Sequence, residues 1–427
     1  MSIEDGLRYW ALHYNETLRS VDMILALFRK AKVANLPKTA KTLLGTNRKP
    51  SIEIKEISGG QYWYHGIEKC LSVQLCNARL THDNLSLNIS MDGLPLHRSG
   101  SMQFWPILFN IHEMPKVPVM TAAIFCGMTK PTNVEEYLRP MVTEMNNIME
   151  NGINFNGKHV SIHLRAIIAD TPARAFIKGV VGHAGYSSCQ KCTVVGQYDS
   201  AARTIVFSGT QATQRTDEAF REGAYPGHQR TTTPLLDLRN FDIVQDVVVA
   251  DRLHLIDLGI MKRLLVGWRN GTLGKRKWDQ TQSELITQAL QTIKLPSEIH
   301  RKLRTLKYVN FWKGSEYASF LHYASIVLLK EHLEDNVYEH FLLFFCSVTL
   351  FSSSIYQLYW PVAGEMMNKF VEDYASIYGE RYISSNVHNL QHILEEVERF
   401  GPLNTISTYP FENKLQFLKG TVDDTNI

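Results

Sequence analysis

Asp92, Asp170 and Glu412 are the residues in this 427-residue chain whose types suit phosphodiester cleavage and strand transfer. That chemistry uses two divalent ions, one activating the attacking oxygen and one stabilising the leaving oxygen. Hard ions such as Mg²⁺ or Mn²⁺ want carboxylate oxygens, usually few, with water and substrate phosphate completing the shell. Each residue also has an ordinary role. Asp92-Gly93 is a common turn dipeptide, Asp170 before Thr171-Pro172 is placed to cap a helix, and Glu412 is a first-turn carboxylate of the kind a helix dipole favours.

A second set of residues could hold zinc. Cys189-Gln190-Lys191-Cys192 is a C-x-x-C pair in a loop that begins at Gly182-His183. One pair supplies two ligands and structural zinc takes four; His183 and His228 are the nearest histidines to complete it. A zinc site and two unrelated thiols both stay open, whereas a redox pair lacks its strand–C-x-x-C–helix context. Asp251 and His254 are three apart, so they can share one helical face; on spacing alone a capping aspartate and a packed histidine are the better reading.

These side chains need elements to position them. Leu85 to Met91 alternates apolar and polar residues, as a half-buried strand does, and runs into Asp92-Gly93. Gln103–Ile111 and Val117–Cys126 are two more apolar runs that read as strands. Val134, Tyr137, Leu138, Met141, Met145 and Ile148 then recur at helical spacing, ending at Asn151-Gly152. Val160–Ala169 is a β-branched strand that closes on Asp170, and Thr171-Pro172-Ala173 opens a helix. Strand, strand, strand, helix, strand, helix is the order of a ribonuclease H-like core, in which acidic residues at the first and fourth strands meet in space. Asp92 and Asp170 fall at those two strand ends.

The expected organisation follows. Residues 1–80 form a small, mainly helical N-terminal module, with Leu18, Val21, Leu25 and Phe28 at helical spacing, and residues 81–182 are the first part of the core. Residues 183–245 are an irregular C-x-x-C segment, 246–385 a helical insertion, and 386–427 the last part of the core. The apolar runs Phe320–Leu329 and Val337–Phe351 read as buried helices; Val387, Leu390, Leu394, Val397 and Phe400 form one helical face stopped by Gly401-Pro402. By analogy with that core, the expected fold class is an α/β ribonuclease H-like core, a mixed sheet flanked by helices, interrupted by a large mainly α-helical insertion.

Composition sets limits. Hydrophobic residues at 44% and charged residues at 20% are the balance of a globular chain. No apolar run reaches the length of a membrane span, the first residues lack a secretory pattern, and six cysteines in so long a chain point to a reducing compartment. A net charge of +3 does not announce a nucleic-acid binder, so DNA contact must come from local basic surface. Candidates are Lys38, Lys41, Arg48 and Lys49, the Lys275-Arg276-Lys277 cluster, and Arg165, Arg174 and Lys178 near Asp170.

The ordered series of motifs resembles the transposases of the CACTA (En/Spm) group in the CMC superfamily. The resemblance runs through Asp92-Gly93, Asp170-Thr171-Pro172-Ala173, Gly182-His183, Cys189-x-x-Cys192 and Asp251-x-x-His254. It continues in Leu258-Gly259-x-x-Lys262-Arg263-Leu264-Leu265, His388-Asn389-Leu390-x-His392, Gly401-Pro402 and Tyr409-Pro410-Phe411-Glu412, covering roughly residues 90–420. It implies a DDE-type DNA transposase acting in the nucleus with two Mg²⁺ or Mn²⁺ ions, working on transposon ends and target DNA, as a homo-oligomer and with no small-molecule cofactor. Asp92 and Asp170 match the two catalytic aspartates, Asp251 and His254 the supporting Asp-x-x-His element, and Glu412 the third carboxylate, with Glu365, Glu372 and Glu395 as other glutamates in the right part of the chain. The chain departs from the pattern in stopping at Ile427, soon after Lys419-Gly420, and in lacking a recognisable N-terminal zinc finger. The alternative expectation is thus a truncated or domesticated copy, a catalytically inactive DNA-binding or protein-interaction host protein.

Overall fold

Leu85, Leu87, Ile89 and Met91 all enter one apolar layer, and the strand they define is central to the sheet. The structure is a computed structural model and describes residues 2–14, 16–33, 35–45, 53–76, 78, 80–96 and 100–423. Arg48 and Lys49 lie outside the described residues. Seven strands form the main path of the sheet: β1 (Ile54–Ile57), β2 (Gly60–Tyr64), β3 (Asn84–Met91), β4 (Gln103–Ile111), β5 (Met120–Gly127), β6 (Lys158–Ile168) and β7 (Val247–Val248). Their spatial order is β1-β2-β5-β4-β3-β6-β7. Pairing is antiparallel from β1 through to β3 and parallel from β3 to β6 and from β6 to β7. The helix Val134–Asn151 makes the crossover between β5 and β6; Asn133 caps it by accepting from the Glu135 and Glu136 amides. This is a mixed sheet flanked by helices.

Both faces of the sheet are covered. On one, the odd-numbered side chains of β3 meet Tyr137, Leu138, Met141 and Met145 of the crossover helix and Leu71 and Leu75 of the helix Ile67–Leu75. On the other, Leu108, Ala166, Ile168 and Val248 join a large core with Ile256, Ile260, Leu264 and Trp268 that extends to Phe341, Phe370 and Tyr374 of the long helices Asp335–Phe351 and Trp360–Tyr378. The polar residues of β3, Asn88 and Ser90, are therefore buried as well, not solvated as their alternation suggests. Asn88 donates to the Asn110 side chain (3.1 Å) and accepts from Arg165 (2.8 Å), which supplies the partners that burial requires.

Four differences from the sequence reading have physical causes. The hairpin β1–β2 and the helix Ile67–Leu75 add to the sheet through β2 and β5, so only the helices Ile3–His13, Leu18–Lys30 and Ala40–Leu43 make the N-terminal cluster around Val21 and Leu25. β7, two residues long, lies within the stretch read as helical; a strand so short leaves no periodicity to detect. The expected helix through Val387–Phe400 is broken into Ser385–Asn389, Leu390–His392 and Ile393–Phe400. Arg252–Met261 is wound as a π-helix that passes into the α-helix Lys262–Asn270. Gly259 belongs to that wide turn by necessity, because a Cβ there would sit 2.6 Å from the His254 carbonyl and 3.1 Å from the Asn386 amide. No helix among the described residues is long and apolar enough to cross a membrane.

Candidate functional site

Asp92 follows directly on β3 and Asp170 follows on β6, so the parallel pairing of these neighbours brings both carboxylates to one end of the sheet. Asp92 Oδ1 accepts from the Gly93 amide (2.6 Å). Gly93 in turn lies flat on Trp105, where a Cβ would come 3.1 Å from the indole. Asp170 caps the helix Thr171–Lys178 through Oδ1, which accepts from the Ala173 amide (2.8 Å). Asp170 thus caps a helix while its charge reaches Asp92 and Glu412.

Glu412 enters from the first turn of the helix Tyr409–Asp423. The segment before that helix is fastened to the sheet by Arg165 of β6, whose guanidinium donates to the Thr405 carbonyl (3.2 Å), the Thr405 hydroxyl (3.1 Å) and the Phe400 carbonyl. The neighbouring charges act on Asp92 and Glu412. Burial, followed by the charges of Asp170 and Glu412, pushes the Asp92 carboxyl up to about 7. Burial also raises Glu412, which lies within hydrogen-bonding reach of Asp92. Like charges gathered among half-buried side chains disfavour full ionisation unless a cation joins them.

Asp251 and His254 complete this end of the molecule. Fully buried, Asp251 accepts from the Leu253 and His254 amides as the cap of the π-helix, from the Thr408 amide (2.9 Å) and hydroxyl (2.7 Å), and from His254 Nδ1 (2.5 Å). The opposite ring nitrogen, Nε2, faces Glu412 Oε1 at 3.9 Å. Burial alone would lower the imidazole, yet the hydrogen bond and charge of Asp251, with Glu412 and Asp170 behind it, raise it. Tyr409 donates to Asp257 (2.9 Å), itself paired with Arg252 (3.1 Å), so the Glu412 helix is anchored to the π-helix at two successive residues.

Of the other glutamates, Glu365 and Glu395 are exposed on helix surfaces and Glu372 binds Thr210 (3.1 Å). Arg174 and Lys178, expected as phosphate contacts, are buried. Arg174 donates to the Ala169 carbonyl (2.6 Å) and Thr171 hydroxyl (3.0 Å), while the Lys178 ammonium lies 5.7 Å from the Phe220 ring centre. Arg165 is likewise committed to the contacts above, so these three are internal fastenings and not a basic surface.

Cys189 and Cys192 meet His388 and His392, and all four are buried with their ligand atoms within 4.8 Å of one another. Cys189 Sγ lies 3.4 Å from His392 Nε2, Cys192 Sγ 3.2 Å from His388 Nε2, and the sulfurs are 3.5 Å apart. Tetrahedral zinc with bonds of about 2.0–2.3 Å has ligand–ligand edges of roughly 3.3–3.8 Å, so this group could hold such a metal. Against the desolvation that raises a thiol, hydrogen bonds from Cys192, His388 and His392 hold Cys189 well below the ordinary range; Cys192, beside it, is raised. His183 and His228 are not members. His183 is exposed, and His228 contacts the Ser187 carbonyl through Nδ1 (2.7 Å) with its pKa lowered to about 3 by burial. The missed signal was the four-residue spacing of His388 and His392, a ligand spacing that complements C-x-x-C; 196 residues separate Cys192 from His388.

Lys191, inside the C-x-x-C turn, makes a fully buried pair with Glu396 (2.8 Å). Its ammonium also donates to the Val244 (2.9 Å) and Gln245 (3.2 Å) carbonyls, and Glu396 accepts from the Val249 (2.8 Å) and Ala250 (2.7 Å) amides beside β7. The cysteine turn, the histidine-bearing segment and the sheet edge are thereby joined at one point. No family model matches this chain, and no curated protein matches it either.

Proposed function

We propose that the chain is a DDE-type DNA transposase with a ribonuclease H-like core, cutting DNA and joining the freed 3′-hydroxyl to a target. The observation that carries this reading is the arrival of Asp92, Asp170 and Glu412, from the ends of two parallel central strands and from a distant helix, at one end of the sheet, close enough that Asp170 and Glu412 act on the Asp92 carboxyl. The sheet supports it, because antiparallel strands lead to a central strand followed by parallel neighbours, the order expected for such a core.

The donor set is three hard oxygen groups, the kind that holds Mg²⁺ or Mn²⁺. Asp92, Asp170 and Glu412 would hold the ions, which when bound activate the attacking oxygen and stabilise the leaving one. Asp251 fixes the His254 tautomer and ring plane, so that Nε2 is directed at Glu412 and orients that carboxylate. The thiolate and imidazole donors of Cys189, Cys192, His388 and His392 suit zinc in a closed structural site. DNA is the partner, and the nucleus is where such an activity is used.

The test is nicking of labelled plasmid DNA with Mn²⁺. Wild type should nick, and Asp170→Ala and Glu412→Gln should fall to background while retaining zinc; Glu412→Gln should keep the wild-type thermal midpoint, and Asp170→Ala should lose only the ~1 kcal/mol of the helix cap it removes. Equal nicking by wild type and Asp170→Ala removes the acidic group from the mechanism. Salt-sensitive DNA binding with no nicking by any form favours the non-catalytic host protein.

A further inference from the structure

A basic cleft lies along the same helix as His254. From Lys262 to Trp278 the chain carries six cations, Lys262, Arg263, Arg269, Lys275, Arg276 and Lys277, and no carboxylate. Lys262 and Arg263 open this run and line a cleft of about 690 Å³ with Arg381, Tyr382, Thr204 and Thr272. Three elements build its walls: the junction of the π-helix with the helix Lys262–Asn270, the hairpin of Gln197–Asp199 and Thr204–Val206, and the turn Glu380–Tyr382.

The cations of this cleft form no ion pair among the described residues, and the two carboxylates on its walls are engaged otherwise, Asp199 by the Ala201 and Ala202 amides and Glu380 by the Ser208 hydroxyl. Among the described residues the lining itself contains no acidic side chain. Arg263 donates to the Tyr382 carbonyl (2.8 Å) and lies against the Tyr374 hydroxyl, and its Nε is buried without a partner. Arg381 is exposed and Lys262 half-buried, so both ammonium and guanidinium heads remain available. Such a cleft attracts a polyanion, and hydroxyl and amide groups beside fixed cations are the usual phosphate contacts.

Position makes the ligand specific. His254, Leu258 and Lys262 follow one another at four-residue intervals, which keeps them near one face of a wide-wound helix, and Leu258 and Lys262 line the cleft while His254 faces Glu412. Eight residues of helix rise at most about 12 Å. That distance corresponds to roughly three to four steps of a DNA strand at ~3.4 Å each.

We propose that the cleft of Lys262, Arg263 and Arg381 is a phosphate-backbone site that grips a DNA strand a few nucleotides from the position served by Asp92, Asp170 and Glu412. This proposal rests on the DNA reading of the acidic group. An acidic protein segment is the competing occupant, and the measurement separates the two.

The full chain is titrated onto a fluorescein-labelled 30-base-pair duplex from 50 to 300 mM KCl. Wild type is compared with Lys262→Gln/Arg381→Gln and with Lys55→Gln/Lys116→Gln, two exposed cations elsewhere. Loss of two phosphate contacts should flatten the plot of log Kd against log salt by roughly 2 units of slope, whereas the control pair keeps the wild-type slope. Matching thermal midpoints establish that the variants are folded. A wild-type slope in the cleft variant overturns the cleft while the DNA reading stands; absence of DNA binding by wild type overturns both. Competition by polyglutamate as strong as by unlabelled duplex assigns the cleft to acidic protein and overturns the proposal.

Discussion

Asp92 is the side chain whose protonation reports most directly on the acidic group. Its pKa is raised to about 7 by burial and by its two acidic neighbours. A raised carboxylate stabilises the fold only where it stays protonated: the contribution is complete below the unfolded value near 3.8 and is lost as pH climbs through 7. Asp92→Asn should therefore raise stability at pH 8 by roughly 1–3 kcal/mol and change it little at pH 4. Thermal midpoints of both forms, recorded without divalent ions across that range, check the sign. Mn²⁺ should raise the wild-type midpoint at pH 8 and leave the variant unmoved, because the ion takes the place of the missing proton. Asp251→Asn tests a different link. It removes the charge that holds His254 toward Glu412, and nicking should fall roughly 10–100-fold while DNA affinity stays within about twofold. Unchanged nicking would reduce the Asp251–His254 pair to a helix cap and a packed ring.

At the scale of elements, the cysteine turn and the histidine segment are joined by a buried Cys₂His₂ group that could hold a metal and by a buried ion pair. Lys191→Met leaves the Glu396 carboxylate buried beside two amides with its cation gone, a change that costs roughly 3–5 kcal/mol. The double variant Lys191→Met/Glu396→Leu should recover much of that loss, and urea unfolding of the three proteins measures both effects. Cys192→Ser should abolish binding of one zinc per chain, read by atomic absorption, and lower the midpoint by the equivalent of at least ~2 kcal/mol. A full zinc content in that variant would show that the metal is held elsewhere.

Over the whole molecule, the sheet and the helical region share one apolar core through Leu108, Ala166, Ile168 and Val248, whereas Val21, Leu25 and Leu43 form a separate small cluster. Deleting residues 1–45 should leave the main calorimetric transition within about 2 °C, and zinc release should coincide with loss of helical circular dichroism in a single step. The same division explains what could be read in advance. Strands β3 to β6 and the helix Val134–Asn151 were legible because each is long and periodic, and Asp92 and Asp170 were legible because each ends one of those strands. The two residues of β7, the π-winding after Asp251 and the break before Ile393 were not, since tertiary contacts and not local propensity create them. The histidine partners of Cys189 and Cys192 were hidden for another reason. Proximity in sequence pointed to His183 and His228, while the pairing that the fold selects spans nearly half the chain.

That long span has a consequence for how the chain is made. At roughly 5–20 residues per second on a ribosome, about 10–40 s pass between the emergence of Cys192 and that of His388. Throughout that interval the nascent polypeptide displays two thiols without the imidazoles that later enclose them, and the carboxylate of Glu412 arrives later still. Biosynthesis thus imposes a sequence on assembly: the acidic pair from β3 and β6 can form early, the cysteine turn waits, and the third carboxylate joins them last.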